Sequence, residues 1–174
     1  MNILTIFLIA SAAIVTFSWH SLRDRRSHGF FRFFAFECIL ILILRNRSAW
    51  FHDPLSSAQI ISWALLCASL ALAIHGFYLL VVVGKPKENF ENTTAMVMLG
   101  AYRYIRHPLY ASLILLVWGV FFKDVSLQGL MLTAVASVFL FTTARVEEFE
   151  NLHKFGEDYA SYMTKTKMFI PFLF

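Results

Sequence analysis

The sequence predicts an all-α fold, a polytopic membrane bundle of about five transmembrane helices plus a cytoplasmic, interfacial C-terminal helix. Three observations lead there. The chain is 59% hydrophobic and only 15% charged, against about 25% charge in ordinary soluble domains. Its apolar residues gather into five runs, 3–22, 30–44, 58–83, 108–122 and 126–145. Its Lys and Arg residues cluster at the ends of those runs. A soluble domain of 174 residues could not hide so much apolar surface, so a bilayer is the solvent for much of the chain. The length suits one domain, 1–174.

Each run can be read in turn. A crossing helix needs about 20 residues, and the first, third and fifth runs reach that length. The first has no Lys or Arg before its apolar region and no clear cleavage site after it. It reads as a retained helix rather than a signal peptide. The second run is short. It either continues through Trp50 with Arg45 snorkelling or enters the bilayer partway. Glu37 within it is costly at membrane depth, and the favoured reading is a protonated group bonded to a neighbouring helix rather than a substrate-path residue. In the third run, His75 reads as a hydrogen-bonded interior residue. Cys38 and Cys67 lie in separate runs and read as small buried hydrophobes, not a disulfide or a metal site. The fourth run is also short and gains length if its helix starts inside 100–107. Residues 84–99 form a polar loop, and 146–174 form a charged helix broken at Phe155-Gly156, then an aromatic segment folding back along the interface.

The loops set the orientation. With the N-terminus outside, the basic residues 23–32, 85–106 and 145–167 lie in the cytoplasm. Only Arg45, Arg47 and Lys123 lie outside, the arrangement that the positive-inside rule favours. It implies a multi-pass protein whose 100–108 stretch and Glu147-Glu148 share the cytoplasmic side; a bacterial inner membrane is the expected location. The Asn92-Thr93-Thr94 sequon falls on that side as well, which argues against its use. The net charge of +4 fits anionic lipid headgroups better than nucleic acid.

Two polar clusters carry the chemistry. The first, Gly100-Ala-Tyr-Arg-Tyr-Ile-Arg-His-Pro-Leu-Tyr110, sets Arg103, Arg106 and His107 among three tyrosines at the start of the fourth run. Pro108 suits a first helical turn, whose free N–H groups and positive end make an anion site. The second, Glu147-Glu148, follows the fifth run, where a helix C-terminus disfavours carboxylates by about 0.3–1 kcal/mol each. Carboxylates there suggest a cation to be held, with Arg145 as the plain alternative. Together the clusters suit an amino-acid zwitterion, and S-adenosylmethionine (SAM) better, with its carboxylate, ammonium, sulfonium and adenine.

Gly100-x-Tyr102-Arg103-x-x-Arg106-His107-Pro108-x-Tyr110, then Glu147-Glu148-x-x-x-Leu152-x-x-x-Phe155-Gly156-x-x-Tyr159-x-x-Tyr162, then Phe169-Ile170-Pro171, resembles the isoprenylcysteine carboxyl methyltransferase and phospholipid methyltransferase superfamily. Arg-His-Pro alone would be weak; the three elements in order are specific. The resemblance covers about 98–171 and leaves 1–83 as the acceptor side. It implies an integral-membrane, SAM-dependent methyltransferase acting on a lipophilic acceptor, with no metal. By the same resemblance, Tyr102, Arg103, Arg106, His107, Pro108, Tyr110, Glu147 and Glu148 bind the cofactor, and Arg106 and Glu148 are the catalytic pair. Ser112 stands where the family usually has Gly. An isoprenylcysteine-type acceptor is the first expectation. A phospholipid amine or a small thiol or acid is the second, and a non-enzymatic lipid-binding protein with a degenerate site the third. A transporter would call for paired broken helices, which the sequence lacks.

Overall fold

The computed structural model describes residues 2–85 and 94–173. Asn92 and Thr93 of the sequon, and half of the polar loop, lie outside the described residues. The fold is helical: α1 (Ile3–Arg23), α2 (His28–Arg45), α3 (Ser57–Val82), α4 (Pro108–Phe121), α5 (Leu127–Phe155) and α6 (Glu157–Lys165), with short 3-10 turns at Arg47–Ala49 and Gly100–Arg103. Local sequence starts the helices. The Asn2, Ser56 and Ser126 side chains accept from backbone N–H groups of the first turns of α1, α3 and α5. Pro108 opens α4 at the position where its missing N–H costs nothing.

The bundle is held by three packed pairs, α3 on α4, α2 on α5 and α1 on α2, with α4 also against α5. α4 sits deepest; Val117 and Val120 are fully buried. Small residues let α3 approach it, as in helix contacts within lipid. A Cβ on Gly76 would lie 3.4 Å from the Pro108 Cβ, and one on Gly119 would lie 2.9 Å from the Leu66 Cγ. Between them, the Ser69 hydroxyl donates to the Ser112 carbonyl and the Ser62 hydroxyl to the Gly119 carbonyl, both at 2.7 Å. Ser112, at the position where the resemblance leads one to expect glycine, does not open this seam, since its hydroxyl turns back onto the Leu109 carbonyl at 2.7 Å.

Three helices, α1, α3 and α5, are long and apolar enough to cross a membrane. Their outward residues, Leu8, Phe17, Leu70, Ile74, Met131 and Val138 among them, are exposed apolar side chains. α2 has 18 residues and carries Arg32, Glu37 and Arg45. α4 has 14 residues, about 21 Å at 1.5 Å per residue.

Several expectations change. α4 does not lengthen backwards into 100–107, because Pro108 has no N–H to donate and 100–103 coil into a separate turn. α2 starts at His28, so Arg32 is a buried helical residue rather than a loop cation. α5 continues ten residues past Arg145 to Phe155, because Val146–Lys154 are polar but compatible with a helix. Glu147 and Glu148 therefore stand two turns inside α5, and His153 and Lys154 occupy its last turn. The dipole cost expected for the two carboxylates falls away, since that effect is confined to the last turn. Cys67 is exposed on α3 rather than buried, and Cys38 is half-buried; neither forms a disulfide. Glu37 accepts a 2.9 Å hydrogen bond from Ser11 of α1, the neighbour-bonded arrangement favoured for it. His75 is exposed rather than interior, but it is hydrogen-bonded as expected: it accepts from the Ala101 N–H at 3.3 Å and thereby ties the 3-10 turn to α3.

The helix breaks at Gly156, whose φ of 58° lies in the region that glycine tolerates. α6 then turns back towards the start of α4. Beyond it, Lys167 forms a parallel bridge with Ile105. The Arg106 N–H donates to the Lys167 carbonyl at 2.8 Å and the His107 N–H to the Met168 carbonyl at 3.2 Å. The C-terminal segment thus folds back over the bundle.

Candidate active site

The start of α4 and the end of α5 meet. Arg106 Nε donates to Glu148 Oε1 at 2.5 Å, and both side chains are nearly buried. Nη1 of Arg106 reaches the carbonyls of Met163 at 3.3 Å and Thr166 at 2.5 Å. Arg145 approaches Glu148 Oε2 only at 3.5 Å and is 60% exposed, so Arg106 is the main partner of this carboxylate. One turn along α4, the Tyr110 hydroxyl donates to Glu147 Oε2 at 2.5 Å. His107 stacks on Tyr110 with ring centroids 5.6 Å apart.

These side chains do not fill the space between the helices. A cavity of about 310 Å³ remains, within the ordinary range of small-molecule sites, about 300–1,000 Å³. Arg106, His107 and Tyr110 line it from the α4 side, Glu147, Asn151 and Phe155 from α5, Tyr159 and Tyr162 from α6, and Tyr102 from the 3-10 turn. Phe36, Ala73, Phe77 and Leu113 supply apolar wall, and Arg32 reaches it from α2. His107 is 4% exposed, and its Nε2 has no hydrogen-bond partner. Glu148 Oε1 lies 3.5 Å away, at the limit of hydrogen-bond reach. A buried polar atom left so incurs desolvation, about 1–3 kcal/mol. The site therefore has a donor or acceptor ready for a ligand.

Of the residues expected from sequence, five line the cavity: Tyr102, Arg106, His107, Tyr110 and Glu147. Glu148 stands behind the wall and holds Arg106. Arg103 is exposed and does not line the cavity. Pro108 is buried against Gly76 and serves packing. Sequence reasoning assigned no site role to Asn151, Tyr159, Tyr162 or Arg32, although the two tyrosines stand in the quoted motif. The free N–H groups expected at the anion site are partly engaged, since those of Arg106 and His107 donate to the C-terminal segment. Burial pushes the phenols of Tyr102, Tyr159 and Tyr162 up from their ordinary value, and for Tyr102 the nearby Glu147 adds to the effect. All three remain protonated at neutral pH. Tyr162 donates to the Tyr102 carbonyl at 2.5 Å, which locks α6 to the 3-10 turn.

The donor set fits SAM. It offers cations for a carboxylate, a carboxylate for an ammonium, several aromatic rings for a nucleobase and one unpartnered imidazole nitrogen. Among the described residues no three His, Cys, Asp or Glu side chains gather as a metal site.

Comparison with known proteins places the chain in a family. The sequence model of a family described as "Phospholipid methyltransferase" matches residues 57–157. The chain is 31% identical over 70 residues to methanethiol S-methyltransferase 1 of Bradyrhizobium diazoefficiens, covering 40% of this chain and 24% of that protein. It is 31% identical over 72 residues to methanethiol S-methyltransferase of Crocosphaera subtropica, covering 41% and 28%. The matched part spans about a quarter of the length of these curated relatives.

Proposed function

Because the chain belongs to the phospholipid methyltransferase family, we propose that it is an integral-membrane methyltransferase that takes SAM from the cytoplasmic side and methylates a lipophilic acceptor. The observation that carries this reading is the cavity between Arg106, His107 and Glu147, charged in both senses and walled by aromatic rings. Arg106 and His107 hold the carboxylate end, Glu147 the ammonium, and Tyr102, Tyr159 and Phe155 flank the nucleobase. When bound, SAM supplies a methyl carbon already activated by its sulfonium.

The residues of this chain then have modest tasks. Holding the acceptor in line with the methyl group removes much of the barrier, about 7–11 kcal/mol in well-oriented systems. Burial excludes water and strengthens the attraction between opposite charges in the cavity. Glu148 acts at one remove, by fixing Arg106 at the cavity wall. Among acceptors, the names of the two relatives favour a small apolar thiol over a prenylcysteine carboxylate or a lipid amine.

Calorimetry on the purified, detergent-solubilised protein tests the reading. The wild type should bind SAM, and His107→Ala and Glu147→Ala should each weaken it at least tenfold while the fold persists. Unaltered affinity in both variants would overturn it. Labelled SAM offered with a small thiol, a prenylcysteine and an aminolipid identifies the acceptor.

A further inference from the structure

Arg32 is a buried cation that neither the motif nor the family match accounts for. Only Arg32 and Phe36 line the cavity from the first 56 residues, and the family match begins at residue 57. The family match covers α3, α4 and α5, and α2 reaches the cavity from outside that match. Arg32 is 5% exposed. Its guanidinium lies 5.6 Å from the Phe17 ring centroid and 5.8 Å from that of Phe36.

The register places it. α2 runs antiparallel to α5, with the His28 ring 2.6 Å from Glu150 at one end and Arg45 beside Gly129 at the other. Arg32 therefore stands one turn deeper than His28, at the level of Glu147. The Tyr110 side chain of α4 is hydrogen-bonded to Arg32, Glu150 of α5 feels its charge, and His107 and Glu147 line the same cavity. α1 contributes the Phe17 ring, and His28 on its own helix is engaged by Glu150. Deeper still, Phe36, Ala73 and Leu113 make the wall apolar. Arg32 marks the seam between a polar mouth that suits SAM and an apolar floor that suits the body of an acceptor.

We propose that Arg32 holds the methyl acceptor as an anion, which makes the acceptor class an acid that reacts through its conjugate base, a thiol foremost. This rests on the proposed methyltransferase reading and narrows it. A cation at that seam favours a thiolate over the thiol and repels a protonated amine. The acceptor thiol gives its proton to water at the cavity mouth. The thiolate lone pair then forms the new S–C bond as the C–S bond of the sulfonium donor breaks. The electrons of that bond stay on the departing sulfur, which leaves as a neutral thioether. The step balances without a protein base.

The test is kcat/KM against pH for a series of small alkyl and aryl thiols of graded acidity, with calorimetric SAM affinity measured in parallel. In Arg32→Met, turnover at pH 7 should fall at least tenfold. The rising limb of the profile should move up by about one pH unit, with SAM affinity kept within twofold. Arg32→Lys should keep the limb near the wild-type position. An unmoved limb in Arg32→Met overturns the inference, as does a parallel loss of SAM affinity, which would make Arg32 a cofactor or folding residue. A wild type that methylates an aminolipid and no thiol also overturns it and leaves the methyltransferase reading standing. A wild type that fails to bind SAM removes both.

Discussion

Glu148 shows how a side chain can govern a site that it does not line. It neutralises Arg106, which is itself 10% exposed along its side chain. Removing one partner of a buried ion pair leaves the other charge uncompensated, at a cost of about 3–5 kcal/mol. Glu148→Ala should accordingly lower thermal stability by about that amount and lose SAM binding as Arg106 swings away. His107→Ala removes a nitrogen with no internal partner and should cost much less stability for a similar loss of binding. Melting curves beside calorimetry separate the two roles, and equal melting points for the variants would contradict them. The sequence showed these residues by type and spacing. It could not rank them, since Arg103 and Arg106 look alike until the turn at 100–103 points one outward. Arg32 was hidden for a related reason. A flanking arginine and a second-turn arginine differ only in where the helix starts, and His28 was not a visible start signal.

At the scale of elements, α4 is a short rod pinned to α3 at two glycines. A Cβ on Gly119 meets Leu66 at 2.9 Å, at the end of α4 far from the cavity. Gly119→Leu should therefore overpack that contact and destabilise by about 1–3 kcal/mol. It should leave SAM affinity nearly unchanged, because Arg106, His107 and Tyr110 lie three turns away. Denaturant unfolding with calorimetry would check this, and a collapse of SAM affinity at unchanged stability would contradict it. Helix positions were legible because apolar runs over about 20 residues have few readings. Helix ends were not. α5 crosses from apolar to charged sequence at Arg145 without any backbone reason to stop, and it stops where Gly156 adopts a positive φ. That extension, with the turn that follows it, brings Tyr159 and Tyr162 over the cavity, a placement that depends on helix length and turn geometry rather than on motif.

For the whole molecule, the family segment begins at residue 57, and α1 and α2 lie outside it. The clusters at 100–110 and 147–148 were expected on one side from the distribution of basic residues, and the structure brings them into contact. The orientation itself can be measured. In a background with Cys38 and Cys67 replaced by Ala, Val125→Cys should react with an impermeant maleimide added outside cells. Ser161→Cys should react only after the membrane is opened. The reverse pattern would invert the topology.

The pairing of Arg106 and His107 main-chain N–H groups with the carbonyls of Lys167 and Met168 makes the tail a splint for two residues of the candidate site. The same tail offers its Thr166 carbonyl to the Arg106 guanidinium. A protease that trims the chain back to α6 would leave the five bundle helices standing while the arginine and the imidazole lose their bearings. Inactivation by clipping would then precede unfolding.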